Sequence, residues 1–275
     1  MILKKLAKIA LLLSGISLLL IAASIILPSQ TERDAVTPTK FSTITYELDW
    51  TWGDVVLTSE GWFATNDQGY QIHVTRGYLV NRSLELIECT DDTAGTENAI
   101  GRLRESLMAQ PTYAGHGTSQ RDASRIAAPF VESLTEPVAH TVETVLVAQP
   151  NYCQLHYLVA PGIETARHLP QDIPMEGLTL WLEGDVLAPD ASSPTPFIID
   201  TNLAWGNAAN LMPLTSESLK TLQRDNVALQ ITVRRDLESL FDGIDFDTMT
   251  DSERAKAVLR SLTQNTDVII QAKSL

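Results

Sequence analysis

From Phe41 onward the chain alternates β-forming and polar residues with a period of two, in STITYELDW, DVVLTS, YQIHVTRGYLV, SLELIEC, CQLHYLVA, LTLWLEGDVL, TPFIIDTNL and VALQITVRRDL. That period puts successive side chains on opposite faces of a strand, so each segment can bury one face and wet the other. Turn-forming residues separate the segments at Asn66-Asp67-Gln68-Gly69, Asn81-Arg82 and Pro189-Asp190. With no long helices interleaved, the pattern predicts a mostly β fold: an antiparallel β-sandwich with one or two short helices. The helices are expected over Thr96–Met108 and Asp251–Leu262. In the second, Thr250 or Asp251 is available as cap, and Ala255, Val258, Leu259 and Leu262 recur at helical spacing.

The start of the chain obeys different rules. Lys4, Lys5 and Lys8 precede an uncharged apolar run from Ile9 to Leu27. At roughly 19 residues this run exceeds a usual signal-peptide core and approaches what a membrane-spanning helix needs. Residues 1–28 are therefore expected to be an export signal or a retained anchor helix in the membrane. The lysines stay cytoplasmic, and everything after Pro28 lies on the periplasmic, extracytoplasmic side of the cell envelope. Residues 29–40, SQTERDAVTPTK, read as a polar tether, and 41–275 as one exported domain.

Charge narrows the range of partners. The whole chain has 20 Lys+Arg against 34 Asp+Glu; without the three N-terminal lysines the exported part carries 17 − 34 = −17. Such a surface repels phosphate backbones and anionic lipid, which disfavours nucleic acid and leaves metal ions and cationic partners open. The two cysteines, Cys89 and Cys153, both fall in the exported part, where an oxidising compartment lets an isolated pair join. A disulfide between them would close a loop of 153 − 89 = 64 residues and add about 4 kcal/mol in the chain-entropy model. Cys153 as a thiolate metal ligand is the alternative.

Between these cysteines, residues at about 90–138 form a long Gly- and Pro-bearing insertion, and such excursions commonly carry function. In it His116 stands between two glycines, in YAGHG, where the backbone is free to present an imidazole. His73 and His156 lie within predicted strands. If those strands are neighbours and the insertion folds over them, His116, His156 and His73, or His140 as third ligand, can surround one transition-metal ion. The competing reading makes the strand histidines ordinary hydrogen-bonded residues. Asp242, Asp245, Asp247 and Asp251 lack the spacing of a calcium loop and are read as a turn ahead of the last helix. Trp50, Trp52 and Trp62 are read as core residues or as a stacking platform. There is no nucleophile elbow and no phosphate-cradling glycine loop, so no catalytic residues are assigned.

Taken in order, ATNDQGYQIHVTRGYLVNRSLELIEC, YAGHG, NYCQLHYLVAPG, EGLTLWLEGDV and the FDGIDFDTMTDSERAKAVLRSLTQNTDVII ending resemble exported bacterial metal-associated proteins, specifically the methanobactin-associated periplasmic copper-binding (MbnP-like) family. The resemblance implies an exported β-sandwich that binds copper, with zinc as the other candidate, for metal acquisition or handling rather than catalysis. The alternative is an envelope interaction module that binds a protein or glycan partner.

Overall fold

The computed structural model describes residues 41–88, 123–148, 152–211 and 228–273. In chain order they form β1 (Phe41–Thr51), β2 (Val56–Thr58), β3 (Gly61–Thr65), β4 (Gln71–Glu88), β5 (Phe130–Ser133), β6 (His140–Ala148), β7 (Tyr152–Val159), β8 (Leu180–Leu187), β9 (Thr195–Thr201), β10 (Trp205–Asn210) and β11 (Ala228–Asp236). A 3-10 turn (Glu238–Phe241), the helix α1 (Asp251–Gln264) and β12 (Thr266–Lys273) follow. The expected N-terminal membrane helix, the tether, the Thr96–Met108 helix, Cys89 and His116 lie outside the described residues. Of the expected 90–138 insertion, 123–138 is described, and β5 within it is a regular strand paired to β4.

One sheet runs β12-β11-β1-β6. The other runs β10-β7-β4-β3-β2, with β5 and β8 also on β4, and β9 on β8. Ile44, Tyr46 and Leu48 of the first sheet share one buried cluster with Trp62, Ile72, Leu84 and Leu155 of the second, so the two inner faces build a common core. The expectation of purely antiparallel pairing needs one correction. β1 and β11 run parallel in register from Thr43↔Ala228 to Thr51↔Asp236. They are connected through the whole of the other sheet, so no hairpin forces them into opposite directions.

A second correction concerns Asn81-Arg82, read from the sequence as a turn. β4 passes straight through it as a single 18-residue strand. Two β-bulges interrupt its alternation, one at Thr75 opposite β8 and one at Arg82 opposite β7. Each extra residue reverses which parity faces the core. The inward set is therefore Ile72 and Val74, then Leu79 and Asn81, then Leu84 and Leu86. A turn residue and a bulge residue break a period-two pattern in the same way, which is why the sequence suggested two strands. Beside the first bulge, a Cβ at Gly184 would lie 1.8 Å from the His73 carbonyl oxygen, so only glycine lets β8 close on β4 there.

A polar network crosses the core. Arg235 of β11 donates from Nη1 to Glu132 Oε2 at 2.7 Å and from Nη2 to Glu132 Oε1 at 2.6 Å. Trp50 Nε1 and Asn81 Nδ2 donate to the same carboxylate, and Tyr157 Oη donates to Asn81 Oδ1. The Arg235 guanidinium also lies over the Trp50 ring, 3.9 Å from its centroid. All five residues are buried. Burial, the largest influence, would lower the Arg235 pKa, but the Glu132 carboxylate and the Tyr157 hydroxyl together outweigh it and the net direction is up. Burial also pushes the Tyr157 hydroxyl up to about 12.

α1 starts where the sequence placed it. Thr250 and Glu253 form a reciprocal capping box, and Ala255, Val258, Leu259 and Leu262 are buried on its inner face. The loop before it is latched to the β3–β4 turn: Asn66 Nδ2 donates to the carbonyls of Phe241 and Ile244, and Tyr70 Oη donates to Asp245 and Asp247. Hydrogen bonds from the Thr248 side chain, then from Tyr70, hold Asp245 down to about 2 from 3.8. A depressed folded pKa means that this stabilisation is complete above the ordinary carboxylate value and is lost as pH falls from about 4 toward 2. We expect the melting temperature of the wild type to fall across that window more than that of Asp245→Asn, measured by thermal denaturation at stepped pH.

Candidate functional site

His156 lies on β7, whose inward residues Leu155, Tyr157 and Val159 are buried, so its own side chain faces the opposite side of the sheet. In the antiparallel register it stands opposite Glu85 of β4. The second bulge of β4 puts Glu85 on the outward parity, and the two side chains meet: His156 Nδ1 and Glu85 Oε1 are 2.8 Å apart. Both are largely shielded, the Glu85 side chain being 17% and that of His156 29% exposed. The other carboxylate oxygen, Oε2, is 3.7 Å from Arg125 Nε.

This arrangement has a definite chemistry. A carboxylate on Nδ1 favours the proton there, fixes the ring and leaves the Nε2 lone pair for a ligand. Among the described residues Nε2 makes no hydrogen bond. Carboxylate–imidazole pairs of this kind are the usual support behind a metal-bound histidine.

The structure does not bring the expected histidines together. His73 is also on β4, 85 − 73 = 12 residues before Glu85, which is about 40 Å along a strand. Ligands to one ion sit within about 2–2.6 Å of it, so His73 and His156 cannot share a metal. His73 instead stacks on Phe63, centroids 4.0 Å apart and planes 8° apart. His140 begins a strand of the other sheet and meets the edge of Phe130, a ring that His168 meets as well. Phe130 is registered with Asn81, four residues or about 13 Å along β4 from Glu85. Among the described residues no group of three or more His, Cys, Asp or Glu side chains is placed to hold a metal ion. Of the cysteine pair, Cys153 lies on β7 three residues before His156, and no described cysteine is a free thiol.

The stacking platform is corrected as well. Trp50 and Trp62 belong to different sheets and are buried in the core, where Trp62 Nε1 donates to the Leu134 carbonyl at 2.7 Å.

Glu85 and Arg125 were missed in the sequence. Glu85 alternates with Leu84 and Leu86 as any outward strand residue would, and its significance depends on the β4–β7 register, which no local pattern encodes. Searches against protein-family models, curated proteins and solved structures return no match.

Proposed function

We propose that this chain is an exported β-sandwich of the cell envelope that binds one transition-metal ion, copper before zinc, without catalysing a reaction. His156 is the resident ligand, oriented by Glu85, and His116, outside the described residues, is the second. His73 and His140 have no part in this site. The observation that carries the reading is the 2.8 Å contact between Glu85 and His156, which prepares one ring nitrogen for a soft or borderline metal. Bound copper would take its nitrogen donor from His156, while Glu85 fixes the orientation of that ring and the exported location suits metal capture or delivery. The Glu85→Gln variant is expected to keep one-to-one stoichiometry but bind Cu(I) about 10–100-fold more weakly in competition with a chromogenic chelator. Unchanged affinity in Glu85→Gln would remove the observation on which the reading stands.

A second reading draws on the sheet edge. Val56, Leu57 and Phe63, at 59%, 54% and 41% exposure, put apolar side chains on the β2–β3 hairpin, and among the described strands β2 ends the sheet with an unpaired edge. An envelope protein that adds a strand to β2 would cover it. Capture of such a partner would survive a metal chelator, whereas metal binding would not.

A further inference from the structure

Arg82 is the surplus residue of the second bulge in β4. Asn81 pairs with Val159 and Ser83 with Leu158, so neither strand faces Arg82. Arg82 lines a cavity of about 280 Å³ together with Arg125, Ile126, Pro129, Ile163 and Thr165, among others. Arg82 Nη1 is sealed from solvent and has no hydrogen-bond partner. Leaving such a donor buried and unpaired is costly, and native structures rarely do so without a reason. The second cation, Arg125, is only loosely engaged: its Nε is 3.7 Å from Glu85, and among the described residues its Nη atoms make no hydrogen bond. A chain with 34 acidic against 20 basic side chains thus places two arginines around one small cavity.

We propose that this cavity is a binding site for a small organic carboxylate. The planar fork of a guanidinium matches the two oxygens of a carboxylate, and Arg82 and Arg125 are the two cations that a guest in this cavity would meet. Ile126, Pro129 and Ile163 supply apolar walls, which suit a short hydrocarbon chain better than a fully hydrated inorganic anion. The volume is at the small end for ligand pockets and limits the guest to a few carbons beyond the carboxylate. The bulge gives the site its geometry, because without it Arg82 would take its place in the alternation and point elsewhere. This site is independent of the metal reading. It requires neither His156 nor a bound ion.

The test is isothermal titration of sodium isovalerate into the full chain, stripped of metal over a chelating resin, with sodium phosphate as comparison. One saturable site is expected for isovalerate, weakened roughly 10–150-fold in Arg82→Gln, with much weaker binding of phosphate. In the wild type, isovalerate should also slow modification of Arg82 and Arg125 by phenylglyoxal, read by peptide mass spectrometry, while leaving Arg76 unaffected. That second measurement decides the matter if Arg82→Gln does not fold. Absence of a saturable site, equal affinity in the variant, phosphate binding as tight as isovalerate, or an unprotected Arg82 would each overturn the proposal.

Discussion

Arg235→Met is expected to cost about 3–5 kcal/mol of unfolding free energy. The guanidinium is fully buried and meets Glu132 through two short hydrogen bonds, so its removal leaves a carboxylate inside the core with only Trp50 and Asn81 as donors. The penalty is that of an uncompensated buried charge rather than the net worth of the pair. The double variant Arg235→Met/Glu132→Leu should therefore recover much of the loss, since it removes both charges and fills the space with apolar atoms. Denaturant unfolding followed by circular dichroism measures both. A double variant as unstable as the single one would mean that the network contributes more than charge compensation. The network joins β1, β4, β5, β7 and β11, so it ties the two sheets together in one relative placement.

Trp62→Ala should be of similar size, about 3–5 kcal/mol. The indole is 0% exposed, lies 5.9 Å from the Phe241 ring by centroids, and donates to the Leu134 carbonyl. Truncation opens a cavity at the centre of the core and strips that carbonyl of its donor. Trp62→Phe separates the two effects: it keeps most of the packing and loses the hydrogen bond, for about 1–3 kcal/mol. The same unfolding measurement distinguishes them. A tryptophan that served a ligand platform would tolerate both changes with little loss of stability, so the result also bears on what the aromatic residues are for.

The fold was legible in the sequence where side-chain parity was regular. β1, β7, β8, β9 and β11 follow the alternation, and α1 announces itself through Thr250, Glu253 and four apolar residues on one face. It was not legible where two causes write the same pattern. Asn81-Arg82 reads as a turn, yet the chain absorbs it as a bulge because β5 and β7 pair on either side of it. The strands β3, β5, β6, β10 and β12 were not read from the sequence, and for β3 and β10 the reason lies in their composition. GWFAT opens on glycine and WGNAAN is poor in β-formers, so pairing with neighbours rather than propensity makes them strands. Arg235 did leave a signal: Leu229, Ile231, Val233 and Arg235 share one parity, which puts that arginine on the buried face while Arg234 turns outward to Asp49.

The candidate site was half legible for the same physical reason. His156 stands out in CQLHYLVA as a polar residue on the outward parity, but its partner Glu85 is 71 residues away and is found only through the register of β4 with β7. His73 had the same appearance in YQIHVTRGYLV. Its distance from His156 is set by the continuity of β4, which the apparent turn at Asn81-Arg82 concealed.

In the function proposed here His156, oriented by Glu85, is a ligand to one copper ion. The most direct test is the metal content of the full chain, purified from the envelope without a histidine tag, challenged with Cu(I), Cu(II) and Zn(II), dialysed and measured by plasma mass spectrometry. The account predicts close to one equivalent of retained copper in the wild type and essentially none in His156→Ala. No retained metal in the wild type, or the same copper content in His156→Ala, would contradict it.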